Sequence, residues 1–219
     1  METAHAREAI ETLAKNPAVV TIDLHRGHLD PEVATLPLPE EAAADLVRRT
    51  IPLLHEFREL GVPVIHVVTS YRDREEIVSN PYWRFQSGLA GSSRAAIAEH
   101  NLDHLPGIEL MPGIHDKRDL VVDTKKRYDC LFNTDLELTL RSHGIDSLFI
   151  FGVNTNSCVI ATTISASVRD FAVFVVEEGV DTMMGSEQHE AAAKVIGGSF
   201  GWMVGANVAL AGLRATVAS

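Results

Sequence analysis

Cys158 occupies the part of the sequence best suited to chemistry. It ends the segment Gly152-Val153-Asn154-Thr155-Asn156-Ser157-Cys158, which joins a short apolar run to a run of small residues typical of a packed helix. Such a turn sets the thiol where a helix begins, and free backbone N–H groups and the helix dipole favour an anion there. We therefore expect a lowered thiol pKa and a nucleophilic sulfur. The alternative is a small buried cysteine that only packs, which is the commoner role of a lone cysteine.

Two further chemical groups end predicted strands elsewhere in the chain. Asp23 ends the apolar run 18–23, and Lys125 and Lys126 follow the run 120–123. Sites in open parallel sheets lie beyond the carboxyl ends of the strands, so a base, a cation and the Cys158 thiol would meet at one edge of one sheet. Taken singly, Asp23 could cap a turn and Lys125 could be a solvated surface charge. Their joint position at strand ends favours an active site.

The elements that would carry these groups alternate along the chain. Short apolar runs predict strands at 18–23, 62–68, 120–123, 148–151, 172–176 and 202–204, and helical patterns lie between them, beginning with an N-terminal helix at about 3–15. This alternation predicts the α/β class: a three-layer α/β/α sandwich around a mostly parallel, Rossmann-like sheet of about six strands. We expect one domain over residues 1–219, because no linker, repeat or composition break divides the chain.

Two connecting segments carry more specific predictions. Residues 69–93 have no clear period, and a loop of this length in a compact domain is usually a lid or a binding loop. The segment Thr134-Asp135-Leu136-Glu137 has the form of a capping box that opens a helix ending at Gly144.

Composition excludes several classes of partner. The net charge of −11 and the pI near 5.3 argue against nucleic acid and against an anionic membrane surface. No apolar run approaches the roughly 20 residues of a membrane-spanning helix, and the N-terminal residues lack the apolar core of a signal peptide. Two cysteines 28 positions apart are expected to be free thiols, so we predict a cytoplasmic protein.

Three separated blocks of sequence resemble the isochorismatase-like cysteine hydrolases, the superfamily that includes N-carbamoylsarcosine amidase, nicotinamidase, ureidoacrylate amidohydrolase and biuret hydrolase. The first block is Ile22-Asp23-Leu24-His25. The second is Lys125-Lys126-Arg127-Tyr128 leading to Asn133-Thr134-Asp135-Leu136. The third is Gly152-Val153-x-Thr155-x-x-Cys158-Val159, followed by Thr162 and Ala166. The match spans roughly residues 19–204 and implies the isochorismatase-like hydrolase fold.

The resemblance implies a catalytic triad of Asp23, Lys125 and Cys158. Lys125 matches better than Lys126, because the family's lysine precedes an aromatic residue by three positions, as Lys125 precedes Tyr128. The resemblance also implies a cis peptide between Val153 and Asn154, with the backbone N–H groups of Asn154 and Cys158 holding an oxyanion. The implied reaction is hydrolysis of a C–N bond in a small linear amide or ureido compound. It passes through a Cys158 thioester, releases ammonia and needs water but no cofactor.

The substrate contacts are expected from residues near these blocks: His25, Arg74, Trp83, Arg84, Tyr128 and Phe132. His25 stands where relatives have glutamine, and an arginine in the 69–93 loop could bind a carboxylate bidentately. Alternatively, His25 is a hydrogen-bonded loop residue and the arginines face solvent or a second subunit. Cys130 is expected to be a buried packing residue. Relatives are commonly homodimers or homotetramers, and the apolar segment 206–213 is compatible with a subunit contact.

Metal binding is not expected. His25, His28 and Asp30 have a possible ligand spacing, but a polar loop often collects such residues. Nicotinamidases carry an Asp-x-His metal site after the second strand, where this chain has Ser70-Tyr71-Arg72 instead. Nicotinamide is therefore a poor match as substrate.

Two other functions compete with amide hydrolysis. The vinyl-ether hydrolases of isochorismate lack the nucleophilic cysteine, so Cys158 argues against that reaction. A catalytically silent binding protein of the same fold is the other candidate, and the presence of all three triad residues argues against it.

Overall fold

A computed structural model describes residues 2–217 of the chain and shows a six-stranded sheet in which every strand pair is parallel. The strands are β1 (Pro17–Ile22), β2 (Val64–Thr69), β3 (Leu120–Lys125), β4 (Ser147–Val153), β5 (Ala172–Asp181) and β6 (Trp202–Val204). Their spatial order is β3-β2-β1-β4-β5-β6. The sheet extends from β1 through β2 to β3 on one side, and from β4 through β5 to β6 on the other side. The carboxyl ends of β1 and β4 therefore flank the switch point where such sheets place ligands.

Helices cover both faces of the sheet, which confirms the predicted three-layer sandwich. The helices are α1 (Glu2–Leu13), α2 (Arg26–Leu29), α3 (Glu40–Glu59), α4 (Arg74–Val78), α5 (Pro81–Gln86), α6 (Leu136–Ser142), α7 (Ile160–Ser167), α8 (Ser186–Ser199) and α9 (Ala206–Val217). One apolar core joins the sheet to α1, α3 and α9, and a second joins the opposite face to α6, α7 and α8. All residues of β2 and β4 are buried, as expected of apolar strands covered on both sides. None of the described helices has both the length and the apolar character needed to span a membrane.

The structure corrects the prediction of an unstructured loop at 69–93. Two short helices, α4 and α5, lie within it, and each has a side-chain N-cap: Asp73 accepts from the N–H of Glu76, and Asn80 accepts from those of Tyr82 and Trp83. The helices are five and six residues long, too short for a helical period to show in the sequence.

One other local prediction is also wrong. The predicted capping box does not form: Thr134 Oγ1 accepts from the N–H of Leu136, and the Glu137 carboxylate binds Arg169 instead. The apolar segment 206–213, for which a subunit contact stays a prediction, contributes to the core of its own chain. It lies in α9, where Ala209, Leu210 and Leu213 are buried in the core shared with α1.

Candidate active site

Asp23 lies directly after β1 and is fully buried. Its backbone is left-handed, with φ at 55°, which turns the chain out of the strand. One carboxylate oxygen, Oδ1, accepts hydrogen bonds from the backbone N–H and hydroxyl of Thr69 at 3.0 and 2.8 Å, and Oδ2 accepts from Lys125 Nζ at 2.5 Å. Burial raises the pKa of the Asp23 carboxyl, but the Lys125 ammonium together with the interactions with His25 and His28 outweighs burial and holds this pKa well below its usual range. Asp23 is therefore an ionised base.

Lys125, the last residue of β3, joins the other two predicted triad members. Its ammonium is buried and donates to Asp23 Oδ2 at 2.5 Å, Thr69 Oγ1 at 2.6 Å and Cys158 Sγ at 3.3 Å. Burial lowers the pKa of Lys125, but the neighbouring Asp23 and Cys158 raise it above its usual value, so the side chain stays charged. Lys126 points elsewhere and donates to the backbone carbonyl of Ser70.

Cys158 lies in a wide helical turn, Thr155–Val159, between β4 and α7. The Val153–Asn154 peptide that precedes this turn is cis, as the resemblance implies. The expectation of a lowered thiol pKa is wrong: burial raises the pKa of Cys158 to about 12, and the Asp23 carboxylate adds to this increase, against the opposing charge of Lys125. The Lys125 charge favours the thiolate, but it does not offset the combined effect of burial and the Asp23 carboxylate. The sulfur therefore carries its proton while Asp23 is ionised.

Thr69 completes this cluster and was not predicted as a site residue. Its hydroxyl accepts from Lys125 and donates to Asp23, which fixes the distance between the two charges. Thr69 is the last residue of β2, so the rule of strand ends that identified Asp23 could have found it. A threonine in a sequence does not by itself indicate an active site, because its role becomes apparent only from the residues that it contacts.

A small pocket opens onto the thiol. Its volume is about 30 Å³, room for one or two water molecules, and its walls include Cys158, Asn154 and Ser157. The Ser157 hydroxyl is buried and has no hydrogen-bond partner among the described residues. Both residues whose backbone N–H groups were predicted to bind an oxyanion, Asn154 and Cys158, therefore lie at the pocket.

Of the six predicted substrate contacts, the structure places Trp83 and Tyr128 in the pocket wall. The Trp83 indole N–H donates to the Tyr128 hydroxyl at 2.9 Å, which links α5 to the segment after β3. Arg74, Arg84 and Phe132 are exposed and are not among the residues that line the pocket. The six-residue helix α5 buries Trp83 and leaves the next residue, Arg84, exposed to solvent.

Arg94 and Arg127 line the pocket instead of the predicted arginines. The Arg127 guanidinium donates to the carbonyls of Glu76 and Lys126 and lies 5.1 Å from the Trp83 ring centre. The Arg94 guanidinium lies 5.6 Å from the Tyr128 ring centre and pairs with no carboxylate among the described residues. Arg94 is therefore a cation in the pocket wall that is available to an anionic group, whereas the Arg127 guanidinium already donates to two carbonyls and the Ser79 hydroxyl.

His25 lies behind the pocket rather than in its wall, which corrects the prediction that it faces the substrate. It is fully buried, with Nε2 3.4 Å from Asp23 Oδ1 and 2.8 Å from the side-chain nitrogen of Asn101. His28 and His100 pack against it and line the pocket. Burial lowers the pKa of His28 to about 3 and holds that of His100 well below its usual value, so both imidazoles are neutral. Asp30 does not join them, because its carboxylate binds Arg26.

Known proteins are similar to this chain in sequence or in fold. The model of the isochorismatase domain matches residues 17–208. The maleamate amidohydrolase of Pseudomonas putida is 26% identical over 200 residues, which cover 91% of this chain and 88% of that protein. An isochorismatase family protein from Burkholderia thailandensis is 27% identical with a TM-score of 0.73, covering 93% of this chain and 98% of that one. A cysteine hydrolase from Pseudomonas syringae pv. phaseolicola, only 19% identical, has the same fold with a TM-score of 0.79, covering 93% of this chain and 98% of that chain.

Proposed function

Because this chain belongs to the isochorismatase family, we propose that it is a cysteine-dependent amidohydrolase of small linear amides that carry a carboxylate. The observation that carries the proposal is the position of Lys125 Nζ, in contact with both the Asp23 carboxylate and the Cys158 sulfur. A nucleophile, a base and a cation at one pocket are what amide cleavage through a covalent intermediate requires. The relative named maleamate amidohydrolase supports this class of reaction.

The first half of the reaction forms a thioester. With Asp23 ionised and the thiol protonated, Asp23 takes the thiol proton as the sulfur attacks the amide carbonyl. Lys125 stabilises the sulfur while its negative charge develops, and the backbone N–H groups of Asn154 and Cys158 bind the tetrahedral oxyanion. One such donor typically contributes about 3 kcal/mol. The C–N bond then breaks, and Asp23 protonates the leaving nitrogen, which departs as ammonia or an amine.

The second half returns the enzyme to its starting state. Asp23, again a carboxylate, takes a proton from water as the water oxygen attacks the thioester carbonyl. The C–S bond breaks, the acid product leaves, and Asp23 returns the proton to the sulfur. Atoms and charge balance over the cycle: one amide and one water give one acid and one ammonia or amine.

Arg94 supports a carboxylate at the far end of the substrate. A guanidinium in a pocket wall without a protein carboxylate suits a ligand carboxylate, which it can bind through two parallel hydrogen bonds. Maleamate, named for the relative above, is such a compound, with an amide at one end and a carboxylate at the other.

The triad is tested by measuring ammonia release with Cys158→Ala, Asp23→Asn and, as a matched control, Cys130→Ala. The substrates would be carbamoyl amino acids, ureidoacrylate-like acids, biuret, maleamate and nicotinamide. We expect Cys158→Ala and Asp23→Asn to lose turnover while their circular dichroism spectra stay unchanged. We expect the control, Cys130→Ala, to keep its turnover. Full turnover in Cys158→Ala would rule out the thioester mechanism. Absence of ammonia release by the wild-type protein from every substrate would instead favour isochorismate hydrolysis or a silent binding role.

Arg94→Met tests the substrate class separately. Loss of a bidentate charge-assisted contact should raise KM for a carboxylate-bearing amide by roughly 10–100-fold and leave a neutral amide unaffected. Arg84→Met is the matched control, because Arg84 lies in the same loop region but is exposed. Equal effects of Arg94→Met on charged and neutral amides would contradict the carboxylate assignment. The predicted dimer or tetramer is a separate expectation, which light scattering would check.

A further inference from the structure

Three histidines meet at the edge of the pocket. His25 and His28 are three residues apart around α2, a spacing that puts both on one side of a helical turn. His100 comes from the loop between α5 and β3. One nitrogen from each of the three imidazoles lies within 4.8 Å of the other two, and all three side chains are buried.

The spacing of the rings suits one shared ion. The ring centres of His25 and His28 are 5.0 Å apart, those of His28 and His100 are 4.6 Å apart, and those of His25 and His100 are 5.7 Å apart. A metal–nitrogen bond of about 2.1 Å puts an imidazole centre roughly 3.2 Å from the ion, so two such rings at a tetrahedral angle lie about 5 Å apart. The observed distances bracket this value.

Hydrogen bonds already orient two of the rings as metal ligands are oriented. His28 Nδ1 lies 2.7 Å from the carbonyl oxygen of Leu36, which can only accept, so Nδ1 carries the proton of the neutral ring and Nε2 keeps its lone pair. His100 Nδ1 lies 2.8 Å from Thr35 Oγ1. Ligating histidines usually bind an oxygen through their second ring nitrogen in this way.

The backbone around His25 is closely packed. Gly27 lies in α2 between His25 and His28. A Cβ added to Gly27 would lie 1.9 Å from Asn101 Oδ1, so only glycine lets α2 approach Asn101 this closely. The Asn101 side-chain N–H groups hold Thr69 O and His25 Nε2, each at 2.8 Å. An ion bound through His25 Nε2 would take the place of the second of these hydrogen bonds.

We propose that His25, His28 and His100 bind a divalent transition-metal ion, with Zn²⁺ the best match. Three imidazole nitrogens suit zinc and disfavour magnesium or calcium, which prefer oxygen ligands. His28 and His100 line the pocket, so the remaining coordination position faces it and would take water or a substrate oxygen.

This site differs from the one expected of nicotinamidases. None of its ligands belongs to the Ser70-Tyr71-Arg72 segment after β2, where an Asp-x-His pair would stand. It also differs from the His25, His28 and Asp30 set suggested by sequence spacing, because His100 takes the third place. Metal binding here does not depend on the proposed amidase reaction, since it is measured without substrate.

The test is titration of tag-free, chelator-treated protein with Co²⁺, followed by visible absorption, and with Zn²⁺, followed by calorimetry. We expect one equivalent of each to bind the wild-type protein and the melting temperature to rise with Zn²⁺. His28→Ala and His100→Ala should each weaken binding by more than the roughly 10–100-fold that loss of an outer-shell partner costs. His104→Ala is the matched control, because His104 lies four residues after His100 and is 65% exposed.

Two results would overturn the metal site. The first is absence of stoichiometric Co²⁺ and Zn²⁺ uptake by the wild-type protein, which does not depend on any variant folding. The second is binding that His28→Ala and His100→Ala leave unchanged while their circular dichroism spectra match the wild type. A protein that binds the metal but lacks amidase activity would support the site and contradict only the proposed function.

Discussion

Alkylation of Cys158 by iodoacetamide tests how the triad distributes its charge. Only the thiolate reacts, and a pKa of about 12 leaves roughly one thiol in 10⁵ ionised at pH 7, against about 3% for a free cysteine. The more basic thiolate is intrinsically more nucleophilic, which recovers about 1.5 powers of ten. Cys158 should therefore react roughly 100-fold more slowly at pH 7 than a cysteine in a peptide, or more slowly still because it is buried.

The pH profile and one variant make this prediction sharper. The alkylation rate of the wild-type protein should rise about tenfold per pH unit from pH 7 to pH 9, with no plateau. Asp23→Asn removes the competing negative charge and leaves Lys125 to stabilise the sulfur, which should lower the thiol pKa by roughly 1–3 units. Alkylation at pH 7 should then be roughly 4–40-fold faster than in the wild type. The same variant loses hydrolysis, so reactivity and turnover change in opposite directions.

Mass spectrometry of digested protein would follow both cysteines, with buried Cys130 as an internal control that stays unlabelled. A plateau in the Cys158 rate between pH 6 and pH 8 would show a thiolate already formed and refute the charge assignment. Slower alkylation in Asp23→Asn than in the wild type would refute the role given to Asp23 in raising the thiol pKa.

Two further predictions concern stability. Asp119→Ala leaves buried Arg58 and His66 without the carboxylate that binds both, and should lower the free energy of unfolding by about 3–5 kcal/mol in urea titrations. His66 and Arg58 hold the pKa of Asp119 below its usual range, although burial opposes them, so its contribution is full above about pH 4 and is lost as the pH falls further. Gly152→Ala should cost about 3–5 kcal/mol, because φ is +121° there and a Cβ would lie 2.0 Å from the carbonyl oxygen of Ile22.

Matched variants separate these effects from general sensitivity to substitution. Glu11→Ala breaks an exposed ion pair with Arg7 and should cost less than about 1 kcal/mol. Gly198→Ala adds a methyl group at an exposed position of α8 with no atom within 4 Å, and should be neutral or slightly stabilising. If Asp119→Ala cost no more than Glu11→Ala, the buried network would not stabilise the fold as described. A Gly152→Ala protein as stable as Gly198→Ala would contradict the close approach of β4 to β1.

The sequence predicted the sheet and the meeting of Asp23, Lys125 and Cys158 because one rule governs both. Parallel strands end at a common edge, so residues that follow apolar runs are neighbours even when they are 102 positions apart, as Asp23 and Lys125 are. The thiol pKa could not be predicted in this way. It depends on burial and on the opposing charges of Lys125 and Asp23, and neither is local to the turn that contains Cys158.

The pocket wall was predicted less well, for a different physical reason. Trp83 and Arg84 are neighbours on a six-residue helix, and only its packing decides which of them faces inward. Arg94 and His100 lie in a stretch without periodicity, so no pattern assigns them a direction or a partner. Such residues become visible only when the tertiary contacts are known.

Trp83 gives this protein an intrinsic fluorescent reporter of its own pocket. The chain has two tryptophans, and the other, Trp202, lies on β6 at the opposite end of the sheet from β3. In a Trp202→Phe protein all indole emission would come from the pocket wall, where the Trp83 N–H is bonded to Tyr128. Combined with Cys158→Ala, such a protein would show ligand affinity as a change in emission, free of any contribution from catalysis.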